Sequence, residues 1–247
     1  MKIPDNIYFY GTCLIDLIYP QAGIAAMNLI KAAGVNVIYP KLQSCCGQPA
    51  FNSGYRSEAL IVARSQMACF LQNIPIVIPS GSCAGMIKHH WPELFAGEAD
   101  EQQALSIASR VFELSEFLLD VINIKLEDSG PPTKVAIHSS CSARREMGVA
   151  DKIESLVAQL ANVEVLEQQN KAECCGFGGT FALKQADISG AMVTDKCQAI
   201  ADTGANVLIS QDCGCLMNIS GAMATQHHTQ RVMHLAEFIS ERINVSG

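Results

Sequence analysis

A Cys-Cys-Gly triplet occurs twice in this 247-residue chain, as Cys45-Cys46-Gly47 and Cys174-Cys175-Gly176, and both copies sit in the same cysteine spacing. A lone cysteine precedes each triplet by 32 or 33 residues (Cys13, Cys141), and another follows it by 37 or 40 (Cys83, Cys215). The segment Arg110–Phe117 also returns as Arg231–Phe238, matching at Arg, Val, Leu, Glu and Phe. Random placement would not produce this agreement, so the chain reads as a tandem duplication. The polar, proline-containing stretch Glu127-Asp128-Ser129-Gly130-Pro131-Pro132 marks the boundary. It separates a first cysteine-rich repeat, 1–128, from a second, 133–247.

Each half alternates short β-branched runs with longer helical patterns. The expected strands are Ile7–Tyr10, Val35–Tyr39 and Ile74–Ile78, then Val135–His138, Val163–Leu166 and Val207–Ser210. Near-continuous apolar runs of this kind suit parallel strands buried on both faces. Helical patterns cover Ile24–Ala33 before Gly34, Glu58–Leu71 and Ile153–Leu160. The order predicts an α/β protein of two Rossmann-like halves with parallel sheets and right-handed crossovers. Ligands bind such sheets in the crevice at the carboxyl ends of the strands. The cysteines fall there: Cys13, Cys45-Cys46 and Cys83 follow the three strands of the first half, and Cys141, Cys174-Cys175 and Cys213/Cys215 those of the second.

Composition narrows what those thiols can be for. Lys plus Arg number 17 against 24 Asp plus Glu, a net charge of −7, which excludes an electrostatically driven nucleic-acid binder. Hydrophobic residues at 49% and charged residues at 17% supply a large core and argue against disorder. The start of the sequence lacks a basic segment leading into an apolar stretch, and no apolar run reaches about 18 residues, so a cytoplasmic chain without a membrane span is expected. In that compartment, clustered cysteines serve metals or catalysis more often than disulfides. Of the eleven cysteines, Cys69 and Cys197 lie within helical patterns and read as core. The other nine read as ligands, for zinc, which four thiolates enclose, or for an iron–sulfur cluster, which accepts thiolates from dispersed loops. The short Cys-x-x-Cys pairs usual for zinc are absent, which favours the cluster.

The cysteine pattern resembles the duplicated CCG domain found in heterodisulfide reductase and in the iron–sulfur component of glycolate oxidase. More specifically, the chain resembles the lactate-utilisation protein A family. That resemblance rests on Thr12–Asp16, on Cys45–Tyr55 (CCGQPAFNSGY), on Pro79–Met86 (PSGSCAGM), on His89–Phe95, on Cys174–Phe181 (CCGFGGTF) and on Cys215-Leu216-Met217. It implies an oxidoreductase component of a multi-part L-lactate dehydrogenase that oxidises L-lactate to pyruvate. The implied partners are a ferredoxin-like lactate-utilisation protein B and a lactate-utilisation protein C, through which the chain would meet the respiratory membrane peripherally.

In the heterodisulfide reductase relatives, five cysteines can hold a non-cubane 4Fe-4S cluster, the fifth coming from a Cys-x-x-Cys. This chain departs from that pattern. The first half has only Cys83, with Ser80 at the place of the other thiol; the second has Cys213-Gly214-Cys215, one residue apart in place of two. The resemblance therefore implies a cluster in the second half, on Cys141, Cys174, Cys175, Cys213 and Cys215. It leaves the first half, with Cys13, Cys45, Cys46 and Cys83, to a cluster, to zinc or to an empty thiol site.

Other residues carry alternative readings. Gly47, Gly176, Gly178 and Gly179 either admit a bulky inorganic group or make ordinary tight turns. Gly176-Phe177-Gly178-Gly179 lacks the spacing of a dinucleotide fingerprint, and with no nicotinamide or flavin motif in view the chain is not expected to depend on NAD. His138 would serve as a general base, and Arg144 and Arg145 as a lactate carboxylate clamp, or all three are structural. His89, His90, His227 and His228 follow the cysteine loops as pairs, and Trp91 reads as core or partner interface. Against the electron-transfer reading stands a zinc- or thiol-bearing assembly subunit that carries no electrons.

Overall fold

The β-branched runs of both halves form parallel strands in a computed structural model, which describes residues 2–243. In the first half β1 (Asn6–Phe9), β2 (Asn36–Ile38), β3 (Ile76–Ile78) and β4 (Val111–Glu113) form one sheet in the order β2-β1-β3-β4. In the second half β5 (Thr133–His138), β6 (Val163–Val165), β7 (Val207–Ser210) and β8 (Arg231–His234) repeat it as β6-β5-β7-β8. Every pairing is parallel. The α/β class, the duplication and the parallel sheets expected from the sequence are present.

The expected strands miss β4 and β8. Both come from the repeated octapeptide, too short to show a period because it changes from strand to helix half-way. Glu113 and His234 end the strands and cap the helices that follow: the Glu113 carboxylate accepts from Ser115 N at 2.7 Å, and His234 Nδ1 accepts from Ala236 N at 3.1 Å. Three residues on, Glu116 and Glu237 accept from the backbone N–H of the capping residue, which completes a capping box in each half. The Glu matched in the two octapeptides is thus a helix-start signal. Burial on both faces, expected of every strand, holds for Ile7 to Phe9, β3 and β7 but fails at β2 and β6, whose residues are exposed or half-buried because they are sheet edges.

Helix limits also shift. The first long helix spans Pro20–Ala32, since Pro20 is tolerated in its first turn, and it stops before Gly34 at φ +82°. The next spans Arg56–Met67, shorter than the expected 58–71. Cys69 consequently lies beyond the helix and is half-buried, so the expectation of a core residue fails there; Cys197, within Ala186–Ala201, is fully buried as expected.

Two compact units divide between Asn123 and Ile124. Residues just after the division are held by the second unit: the buried Asp128 carboxylate accepts from Arg242 Nη2 at 2.9 Å, and Leu126 N donates to Gln159 Oε1 at 3.1 Å. Among the described residues no helix is long and apolar enough to cross a membrane.

Candidate metal centre

Superposing the two strand registers fixes which residues correspond. Tyr8 and Phe9 pair with Ile76 and Val77, as Ala136 and Ile137 pair with Leu208 and Ile209. Cys13 therefore matches Cys141, and Tyr10 matches His138. The pairings of β3 with β4 and of β7 with β8 put Cys83 opposite Cys215, Ser80 opposite Asp212 and Gly81 opposite Cys213. Ser80 and Asp212 both precede the helix after the third strand, so the additional thiol of the second half, Cys213, stands one residue later than the position of Ser80. Cys213, 1% exposed, begins the helix Cys213–Thr225 where the first half has glycine.

Four thiols form a hydrogen-bonded string in each half. Cys13 meets Cys45, Cys45 meets Cys46, and Cys46 Sγ lies 3.4 Å from Cys83 Sγ. In the second half Cys141 Sγ lies 3.8 Å from Cys174 Sγ, Cys174 meets Cys175, and Cys175 meets Cys215. The shared protons, with the N–H of Gly47 or Gly176 at 3.4 Å, hold Cys45 and Cys174 toward the thiolate. The structure thus gathers eight of the nine sequence-derived cysteines into two strings. Cys213 is outside the tightest ligand group of the second half.

That group is His138, Cys175 and Cys215, whose ligand atoms all lie within 4.8 Å of one another. Burial, with the Lys196 ammonium nearby, depresses the His138 pKa to about 3, so the imidazole is neutral. Both of its ring nitrogens lack a hydrogen-bond partner, as do the buried side chains of neighbouring Ser139 and of Gln211 after β7. Buried polar atoms are rarely left so. Soft thiolates, a neutral imidazole and orphaned polar groups at two adjacent strand ends fit a thiolate-bound metal or cluster. In the first half Tyr10 stands at the position of His138 and is satisfied, its hydroxyl donating to Ser44 O at 2.8 Å.

Each triplet glycine bears on this geometry. Gly47 and Gly176 have φ +90° and +82°, and a Cβ on them would lie 3.3 Å from Ala59 O and 2.8 Å from Ser189 O. We predict that Gly176→Ala lowers stability by about 2 kcal/mol or more, through left-handed strain plus overpacking, and Gly47→Ala by less. Denaturant unfolding of the two variants checks the order.

The backbone between the thiols is held from the helices after the third strands. Trp91 Nε1 donates to Cys46 O at 3.0 Å, and Asn218 Nδ2 donates to Cys175 O at 2.7 Å. Trp91 is fully buried, which decides for core over interface. Its supporting role, like that of Asn218, has no local sequence signal, and the repeat register does not pair them: Asn218 corresponds to Met86 and Trp91 to Met223. Arg144 donates from Nη2 to Ala172 O beside the second triplet, whereas Arg145 is exposed. The His90 ring packs against Phe51 at 5.0 Å, and His228 bonds Gln226 at 3.2 Å.

A family model for the CCG cysteine-rich domain matches residues 7–88 and 135–220, one copy over each string of thiols. Lactate utilization protein A 2 of Bacillus cereus (strain AH820) is 38% identical over 240 residues, covering 97% of this chain and 99% of the relative. The chain belongs to the lactate utilization protein A family. A further member, lactate utilization protein A of Geobacillus sp. (strain WCH70), is 39% identical and covered over its whole length, with 96% of this chain. Among solved structures, a hypothetical protein from Helicobacter pylori superposes with a TM-score of 0.66 at 11% identity, covering 97% of this chain and 49% of that one. That likeness concerns the fold alone.

Proposed function

We propose that this chain is the iron–sulfur electron-transfer subunit of a multi-component L-lactate dehydrogenase, with the electron-carrying centre in its second half. The observation that carries the reading is the second-half site: four strung thiols with a buried, unpartnered histidine, in a chain whose relatives are named for lactate utilisation. A 4Fe-4S group bound there would supply one-electron chemistry. Oxidising one lactate to pyruvate releases two electrons and two protons, so two one-electron passages serve each turnover. The thiolates of Cys141, Cys174, Cys175 and Cys215 would hold iron, His138 would complete the inner surface of the site, and Gly176 would let the backbone approach. Cys213 is the remaining ligand candidate of that half, Cys197 being a core residue. We assign His138 to this site rather than to a substrate, because at 1% exposure it is closed to lactate in solution. The reaction partners are a ferredoxin-like lactate-utilisation protein B and a lactate-utilisation protein C of the same system, and any membrane association runs through them.

For the first half we propose zinc on Cys13, Cys45, Cys46 and Cys83, since four thiolates close a structural tetrahedral site and Tyr10 replaces the histidine. Metal and sulfide analysis of anaerobically prepared protein tests both assignments. Iron with stoichiometric sulfide, absorbance near 400 nm and a paramagnetic signal on reduction are expected. Colourless protein with zinc alone would sink the electron-transfer reading and favour an assembly subunit.

A further inference from the structure

Both triplet glycines abut the backbone of the helix that follows, at Ala59 in Arg56–Met67 and at Ser189 in Ala186–Ala201. This contact sets the helices in register and makes Gln66 the counterpart of Lys196. Both residues are 1% exposed. Gln66 is a neutral strut: its Oε1 accepts from Ser44 N at 2.6 Å and its Nε2 donates to Ser44 Oγ at 2.8 Å. Lys196 instead donates from Nζ to Asn170 O at 2.9 Å. An ammonium that deep is costly unless negative charge faces it. One backbone carbonyl is a poor counterweight, and Glu173, which also acts on it, is exposed. Burial is the largest influence on the ammonium and, with Arg144 adding to it, pushes its pKa below the ordinary lysine value. Beside Glu173, the groups that favour its charge are the sulfurs of Cys174 and Cys175, and Cys215 in turn feels the Lys196 charge, all three being thiolates when they hold a metal.

The asymmetry extends along the string. Arg144 occupies the position that Asp16 has in the first half, by the register that matches Cys13 to Cys141. Asp212 works in the opposite sense, being an acid where the first half has Ser80. Counted over these positions together with Glu173, which stands where the first half has Ser44, the second site holds two cations and two anions, and the first a single anion, Asp16. Two sites of one ancestral pattern therefore differ in local charge, the second being the more positive, with the buried cation of the difference at Lys196.

We propose that the buried Lys196 side chain sets the reduction potential of the second-half centre, its positive charge favouring the reduced state. The inference rests on the reading that this half holds an iron–sulfur centre. On reduction the centre gains one electron, its charge falls by one, and no proton or bond need move. A neighbouring cation stabilises that more negative state, and net charge is among the terms that set cluster potentials. Lys196 is a positioning residue here, acting on the centre through its charge and not as a ligand.

The test is an anaerobic redox titration of the reconstituted full chain with dithionite, followed by the paramagnetic signal and by visible absorbance. Lys196→Gln installs the first half's residue and Lys196→Arg keeps the charge. Iron and sulfide are counted before titration. Expected is unchanged iron in both variants, with at least a tenfold fall in the reduced-to-oxidised ratio at fixed potential in Lys196→Gln, which is a shift of about −59 mV for a one-electron couple. Lys196→Arg should stay near wild type. An unshifted Lys196→Gln, an equal shift in Lys196→Arg, or a folded Lys196→Gln chain that no longer binds iron would each overturn the inference while leaving the iron–sulfur reading in place. Wild-type protein that takes up no iron would instead overturn the reading itself.

Discussion

Replacing Cys175 by serine is expected to strip the second half of its iron and sulfide and to reduce lactate-dependent electron transfer to background, a loss of more than tenfold. Cys175 is 1% exposed, is hydrogen-bonded to both Cys174 and Cys215, and belongs to the group within 4.8 Å that includes His138. Its carbonyl is held by Asn218, so the side chain has little freedom to be replaced by a neighbour. A serine hydroxyl is a harder donor that stays protonated near neutral pH, and it substitutes poorly for thiolate toward iron. The matched control is Cys69→Ser: that thiol lies past its helix, half-buried, with its nearest polar contact Ser65 O at 3.9 Å. Metal and sulfide counts with a lactate-dependent dye-reduction assay on the assembled system read both. Loss of iron and activity from Cys69→Ser alone would show that the ligand assignment is wrong.

Removing Arg242 should produce the largest loss of stability in the second unit, about 3–5 kcal/mol for Arg242→Met, because it leaves a buried carboxylate without its partner. The Arg242 side chain is 4% exposed and that of Asp128 fully buried. The guanidinium donates to Asp128 Oδ2 at 2.9 Å, to Thr133 Oγ1 at 3.0 Å and to Pro131 O at 3.0 Å, and it lies 5.3 Å from the centre of the Phe238 ring. Burial would raise the Asp128 pKa, but the hydrogen bonds from Arg242 and from the backbone of Asn162 and Gly130 outweigh it and hold the carboxyl below its usual value. A depressed carboxyl contributes stability that is present above the unfolded pKa of about 3.9 and is lost as pH falls through the folded one. Wild-type protein should therefore lose this contribution below about pH 4. In Asp128→Asn the acid dependence should flatten, which denaturant unfolding across that range will measure.

The duplication is legible because a ligand set repeats types and spacings, and spacing survives when other residues drift. The strand cores are legible for a related reason: β1, β3, β5 and β7 are sheet interiors that must be apolar. Edge strands carry no such demand, and the apolar runs at β2 and β6 suggest more burial than those strands have. The octapeptides that make β4 and β8 show repetition but no period, because the structure changes type at Glu113 and His234. Helix ends escape the pattern where periodicity continues past the last helical turn, and Cys69 reads as core for that reason.

Within the site, cysteine identity is a local signal, and the eight strung thiols are readable from it. Tyr10, Gln66, Trp91, Lys196 and Asn218 have no such signal. They belong to the site through β-sheet register and helix contact over separations of tens of residues. The sequence by itself determined that two matched sets of thiols would meet at the ends of parallel strands, since soft ligands at repeated spacing serve little else. Only the tertiary structure decided that the two sets differ in surroundings, a satisfied tyrosine and glutamine in one half against an unpartnered histidine and a buried lysine in the other. Charge acts through space, and its distances are set by packing rather than by position along the chain.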